Sequence, residues 1–208
     1  MKKYLCALVL CTVATSAQSA LINRGGGMIY DTVQNITWLQ DANYADTSGF
    51  NAGGFFTSQS AAVSWASGLS FGGYDDWRLP FTSQPDPSCS RQTDPGNGFP
   101  LKGDLSGCTG SEMGHLMNGD GILRDSSGPF SNVQGHYYWS QTLYAPDTSQ
   151  AWSNRGLDGA QFTFTANSGE YYAWAVRNGD VAAVPIPAAG WLFGSALCFL
   201  GWMRRRQS

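Results

Sequence analysis

The 208-residue chain carries 12 basic and 15 acidic side chains, a net charge of −3, together with 26 glycines and 8 tryptophans. Two lysines lie in the first 19 residues and three arginines in the last 26, which leaves 7 basic groups against 15 acidic ones, net −8, between them. That balance excludes a nucleic-acid or anionic-lipid surface, and the richness in large aromatics excludes a disordered chain.

At the N-terminus Lys2 and Lys3 precede an apolar stretch, Tyr4 to Ala14, and then the small polar segment TSAQSA. This order predicts a secretory signal peptide over residues 1–19, cut after Ser19 or, as an alternative, after Ala17. Leu10 stands before Cys11 where a lipoprotein needs a small residue, so lipidation is not expected. A single domain over 20–182 follows.

Within it, Met28-Ile29-Tyr30 and Ile36-Thr37-Trp38-Leu39 read as two strands of a hairpin around a turn at 31–35. Asp41, Asn43 and Asp46 lie in a turn and offer a weak calcium option, without the spacing of a dedicated calcium loop. From Ser58 to Leu69, Ala62, Trp65, Ala66 and Leu69 fall at helical spacing, with Ser58 or Ser60 as cap and Gly72-Gly73 as stop. In GGYDDWRLP, Arg78 between Trp77 and Leu79, beside Asp75 and Asp76, is expected to pair with a carboxylate and lie against an aromatic ring, a structural role, with a sugar or sulfate contact as the alternative.

Cys89 and Cys108 bracket a segment without hydrophobic periodicity. The spacing favours one disulfide stapling that loop; a metal site needing His115 or His136 as further ligands is the alternative. Ser111 to Leu116 reads as a second short helix, with His115 a satisfied helix residue and Glu112 on its face. Four strand-like stretches follow, at 136–144, 151–156, 160–166 and 170–179. Trp139 and Trp174 within them read as core. The result is an α+β domain with two short helices early and one small antiparallel sheet late.

No serine elbow, zinc motif or phosphate-cradling loop is present, so no catalytic residue, cofactor or metal is assigned and the domain is expected not to be an enzyme. Binding residues are expected on the long loops, where Arg124, Asp125 and Asp147 offer hydrogen bonds near the rings of Tyr137 and Tyr144. Past the domain, Ile186 to Met203 is uncharged for 18 residues and ends at Arg204-Arg205-Arg206. As a helix it would reach about 27 Å, which predicts an inner-membrane span within the tail 183–208.

The blocks WLQDANY (38–44), GGYDDWRLP (72–80), CTGSEMGHL (108–116), YYWSQT (137–142) and YAWAVRNG (172–179), in that order, resemble the C-terminal domain family of the Legionella collagen-like adhesin. The resemblance implies a C-type-lectin-like fold and binding of sulfated glycans, although the acidic balance argues against a sulfated ligand. The Glu-Pro-Asn and Trp-Asn-Asp signatures of calcium-dependent sugar sites are absent. VPIPA (184–188) followed by RRR (204–206) resembles the VPxPA variant of PEP-CTERM sorting tails, which implies an exosortase-like processing enzyme. Together these readings expect an exported, membrane-tethered module for an extracellular polysaccharide or matrix component, with a sugar-free protein-interaction module as the rival.

Overall fold

Strand β1 (Leu21–Gly25) turns through Gly26 and Gly27 into β2 (Met28–Asp31), and the computed structural model describes residues 21–89 and 107–181. Gly25, Gly26 and Gly27 all have φ between +60° and +82°, the left-handed region that glycine enters without a Cβ penalty. The next turn is built differently. The Asp31 carboxylate accepts the backbone N–H groups of Val33 (2.9 Å) and Gln34 (3.0 Å), and Asn35 takes φ 52°. These are the local bonds that make Asp and Asn turn formers. The turn delivers β3 (Ile36–Leu39), buried at every position, in register with β2 from Met28↔Leu39 to Asp31↔Ile36.

The expected hairpin therefore forms, but it belongs to a four-stranded antiparallel sheet, β1-β2-β3-β7, whose last strand is β7 (Val176–Asn178). A second antiparallel sheet contains β4 (Tyr137–Leu143), β5 (Gln150–Arg155) and β6 (Gln161–Thr165), in that order. The single late sheet of the sequence reading is thus corrected to two small sheets. Its proposed last strand, 170–179, is divided between them. Tyr172 bridges Tyr138 of β4, and four residues later Val176 pairs with Trp38 of β3. Tyr172 through Val176 are all buried, so this segment has protein on every side and threads one core between two sheets.

Three short helical pieces complete the described residues. Helix α1 (Tyr44–Thr47) is a single turn that carried no periodic signal. Helix α2 (Gln59–Ser67) starts where Ser58 caps it, the hydroxyl accepting from Ala61 N–H at 3.2 Å, and buries Ala62, Trp65 and Ala66. It stops at Gly68, short of the glycine pair at 72–73. Helix α3 (Glu112–Gly114) runs directly into a π-helical turn, His115–Gly119.

The core is aromatic. Trp38 and Trp174 pack edge to face with ring centres 5.3 Å apart, and Phe130 meets Trp174 at 5.0 Å. Three of the buried indoles bond their N–H groups: Trp174 donates to Leu39 O (2.7 Å), Trp139 to Phe56 O (3.2 Å) and Trp152 to Gln84 Oε1 (2.9 Å), whereas Trp38 Nε1 has no hydrogen-bond partner among the described residues. A satellite cluster of Tyr144, Trp152 and Cys108 surrounds the Cys89–Cys108 disulfide, which is present as the spacing suggested.

Among the described residues no helix is long and apolar enough to cross a membrane. The expectations of a signal peptide (1–19), of the span Ile186–Met203 and of the VPIPA sorting tail fall outside the described residues. The membrane-anchored architecture and inner-membrane localisation accordingly have no support in the fold.

Candidate functional site

The five residues expected to bind ligand do not converge. Arg124 and Asp125 pair with one another on an exposed turn, Nε to Oδ1 at 2.9 Å, and each is more than half exposed. Tyr144 is 4% exposed, its ring against Trp152 beside the disulfide. Asp147 closes its own turn, accepting from Ser149 N (3.1 Å) and Gln150 Nε2 (2.6 Å). Tyr137 begins β4 and Tyr144 follows its end, so at roughly 3.3 Å per residue the two stand on the order of 20 Å apart.

The residues expected to be structural lie as follows. Trp77, Trp139 and Trp174 are each at most 2% exposed. Arg78 forms a bidentate pair with Glu112, both bonds 2.7 Å, reaches Asn178 Oδ1, and lies 4.4 Å from the Phe81 ring centre. Its partner is neither Asp75 nor Asp76; the latter pairs with Arg177. In the turn considered for calcium, Asp41 accepts from Asn43 N and Asn132 Nδ2, and Asp46 accepts from Gly53 N. Those carboxylates hold the backbone of the turn.

What the strands do assemble is an aromatic surface. On β4 and β6, Tyr137 meets Phe164 at 4.8 Å and Phe162 at 5.3 Å between ring centres. Tyr171 joins both Tyr137 (5.3 Å) and Phe164 (4.9 Å), and His136 lies 5.6 Å from Tyr171. Tyr137, Phe162, Phe164 and Tyr171 are half-buried and His136 is exposed, so the rings form a continuous platform open to solvent. Burial raises the Tyr171 hydroxyl pKa above its ordinary value. Arg155 stands at its margin, 5.1 Å from the Phe162 ring centre, with its guanidinium paired to Asp158. That pairing raises the Arg155 pKa and lowers the Asp158 pKa. Among the described residues β6 is the edge strand of its sheet, and the platform lies beside that edge.

The alternating Phe162-Thr163-Phe164 pattern was visible in sequence. What was missing was the register, Trp139↔Ser153 and Ser153↔Phe162, which places Phe162 across the sheet from β4.

A second concavity, about 720 Å³, opens between α1, α2 and the connection joining them. Phe50, Phe55, Phe56, Trp65 and Leu69 line it, with Ser48, Asn51 and Ser64 as polar points, and no carboxylate, imidazole, thiol or cationic group faces it. Potential metal ligands lie elsewhere. Asp31, His115 and Asp120 bring donor atoms within 4.8 Å of one another, as do Asp86, Cys89 and Cys108, but the latter two sulfurs are joined in the disulfide. His115 was expected to be a satisfied helix residue; instead its Nε2 is shielded from solvent and has no hydrogen-bond partner.

No protein-family model matches the chain, and no curated protein or solved structure matches it significantly. The resemblance to the adhesin domain family and to PEP-CTERM tails is therefore corrected. With it go the C-type-lectin-like fold, the polysaccharide or matrix ligand and the exosortase partner that it implied. Arg124, Arg155 and Arg177 are each paired with an aspartate of their own, so they form no free cationic patch for an anionic glycan.

Proposed function

We propose that the domain is a non-catalytic peptide-binding module that takes an extended segment with apolar side chains along the edge of β6, over the aromatic platform. One observation carries this reading. Four half-buried rings and one exposed imidazole are in unbroken contact beside an edge strand. Backbone N–H and C=O groups at such an edge supply affinity by strand addition, and alternate side chains of the incoming segment then fall on the rings. Aromatic residues dominate interface energetics because they bury much area at little entropic cost.

The test is selection of binders from a random twelve-residue peptide library on the immobilised domain. Affinities are then measured by fluorescence anisotropy for the wild type, Phe164→Ala and Tyr137→Ala. Selected peptides should lose about tenfold or more in affinity to both variants while circular dichroism shows them folded. Peptides that bind both variants as tightly as the wild type, or a library yielding no saturable binder, would remove the reading.

A further inference from the structure

We propose that Asp31, His115 and Asp120 form a site for one divalent transition-metal ion of the zinc class, held by an imidazole nitrogen and two carboxylates. The site begins in the local structure of the chain. Asp120 N–H donates to His115 O at 3.0 Å, the i→i+5 bond of a π-helical turn. In an α-helix residues five apart point about 140° away from each other. The wider turn instead brings the two side chains together, with His115 Nε2 3.9 Å from Asp120 Oδ2. Single π turns are rare and tend to occur at functional sites.

The third group comes from the first sheet. Asp31 is 0% exposed, at the end of β2. Its carboxylate is aimed by three N–H donors: Val33 N, Gln34 N and Gln34 Nε2, the last also bonded to Glu112 O at 2.9 Å. Gln34 thus ties the β2–β3 turn to the start of the helix that carries His115. One donor atom from each residue then lies within 4.8 Å of the others.

Two features point beyond an ordinary polar cluster. The first is the His115 Nε2 atom, buried with no hydrogen-bond partner, its distance to the Asp120 oxygen too long for a hydrogen bond. Buried polar atoms are rarely left so, and a metal ion accepts the nitrogen lone pair directly. The second is charge. Arg24, Arg78, Arg124, Arg155 and Arg177 are all the arginines among the described residues, and they pair with Asp180, Glu112, Asp125, Asp158 and Asp76. No lysine lies among the described residues. None of these arginines forms a salt bridge with the fully buried Asp31, and a buried carboxylate is costly to ionise without a counter-charge.

The donor set selects the ion. One nitrogen and two oxygens suit zinc, manganese or iron(II), whereas calcium and magnesium prefer all-oxygen shells of six or more ligands. Tetrahedral zinc with bonds of about 2.0–2.1 Å sets its ligands about 3.3 Å apart, so the three side chains close by an ångström or so on binding. Three protein ligands leave a fourth position for water or for a donor from another molecule.

Calorimetry on tag-free, chelator-treated protein with zinc chloride tests the site. One zinc per chain should bind at low micromolar Kd or tighter, and His115→Gln and Asp120→Asn should each weaken binding at least tenfold. The chain has only two histidines, so ¹H–¹⁵N spectra of the imidazoles give a second readout. Zinc should shift one histidine's resonances, and those resonances should be the ones missing from His115→Gln. A Cys89→Ser, Cys108→Ser double variant should bind zinc as the wild type does. No saturable binding, unchanged affinity in both site variants, or binding that disappears with the cysteines would overturn the assignment. If His115→Gln does not fold, the calorimetry of Asp120→Asn and the wild-type imidazole spectrum decide it.

Discussion

Arg78 shows how a single side chain can join three parts of the chain. Its guanidinium holds Glu112 of α3 by two bonds and Asn178 of β7 by two more, with the Phe81 ring beneath it. Arg78 and Glu112 side chains are only 14% and 19% exposed, so the pair is largely shielded from water. Removing the arginine strands Glu112, whose Oε2 would keep only the Phe81 N–H (2.8 Å). Arg78→Ala should therefore cost about 3 kcal/mol in denaturant unfolding, and adding Glu112→Gln should recover part of that loss. Arg78→Lys should restore little, because an ammonium group cannot reproduce the planar two-pronged contact. That Arg78 would pair with a carboxylate and an aromatic was legible from its setting. Which carboxylate was not, because Glu112 is 34 residues away and only the docking of α3 brings it near.

Among the elements, the hairpin of β2 and β3 and the helix α2 were readable because their signals are local: alternating apolar residues around a turn, and a serine cap before a helical spacing. The π-helical turn was not. Ser111 to Leu116 has the spacing of an ordinary helix, and nothing in it announces that the hydrogen bond from Asp120 skips to His115. The platform was hidden for a related reason, since its rings are gathered from 136–137, 162–164 and 171 by strand register. The disulfide is intermediate: two cysteines 19 apart suggested it, and the packing of Tyr144 and Trp152 around it shows what it holds. Replacing both cysteines with serine should lower stability by about 2–4 kcal/mol in urea unfolding, since the unfolded chain regains the freedom of that loop. The effect should vanish when wild type and variant are compared in reductant.

At the scale of the whole molecule, the acidic surface is organised by arginine–aspartate pairs. Hydrogen bonding from Arg177 and from Arg155 holds the Asp76 and Asp158 pKa values below the ordinary aspartate value, with burial opposing. A carboxylate whose pKa is depressed on folding contributes stability that is complete above the unfolded value of about 3.9. That stability is lost as pH falls through the folded value, because the unfolded chain then binds protons first. Asp76 and Asp158 are 52% and 45% exposed, so solvent screening limits each pair to under about 1 kcal/mol. The melting temperature should fall as pH drops below about 4, and Asp76→Asn with Asp158→Asn should flatten that slope measurably.

The pairing of β7 with β3 reaches into the making of the protein. Ile36, Thr37 and Trp38 find their partners in Asn178, Arg177 and Val176, some 140 residues later. At a synthesis rate of roughly 5–20 residues per second, β3 waits on the order of ten seconds for the strand that completes its sheet. Throughout that interval a four-residue apolar strand, Ile36–Leu39, has one edge bare. A ribosome-bound intermediate of this kind is open to pairing with a neighbouring chain on the same message, which makes the nascent state, more than the finished fold, the point at which a chaperone matters.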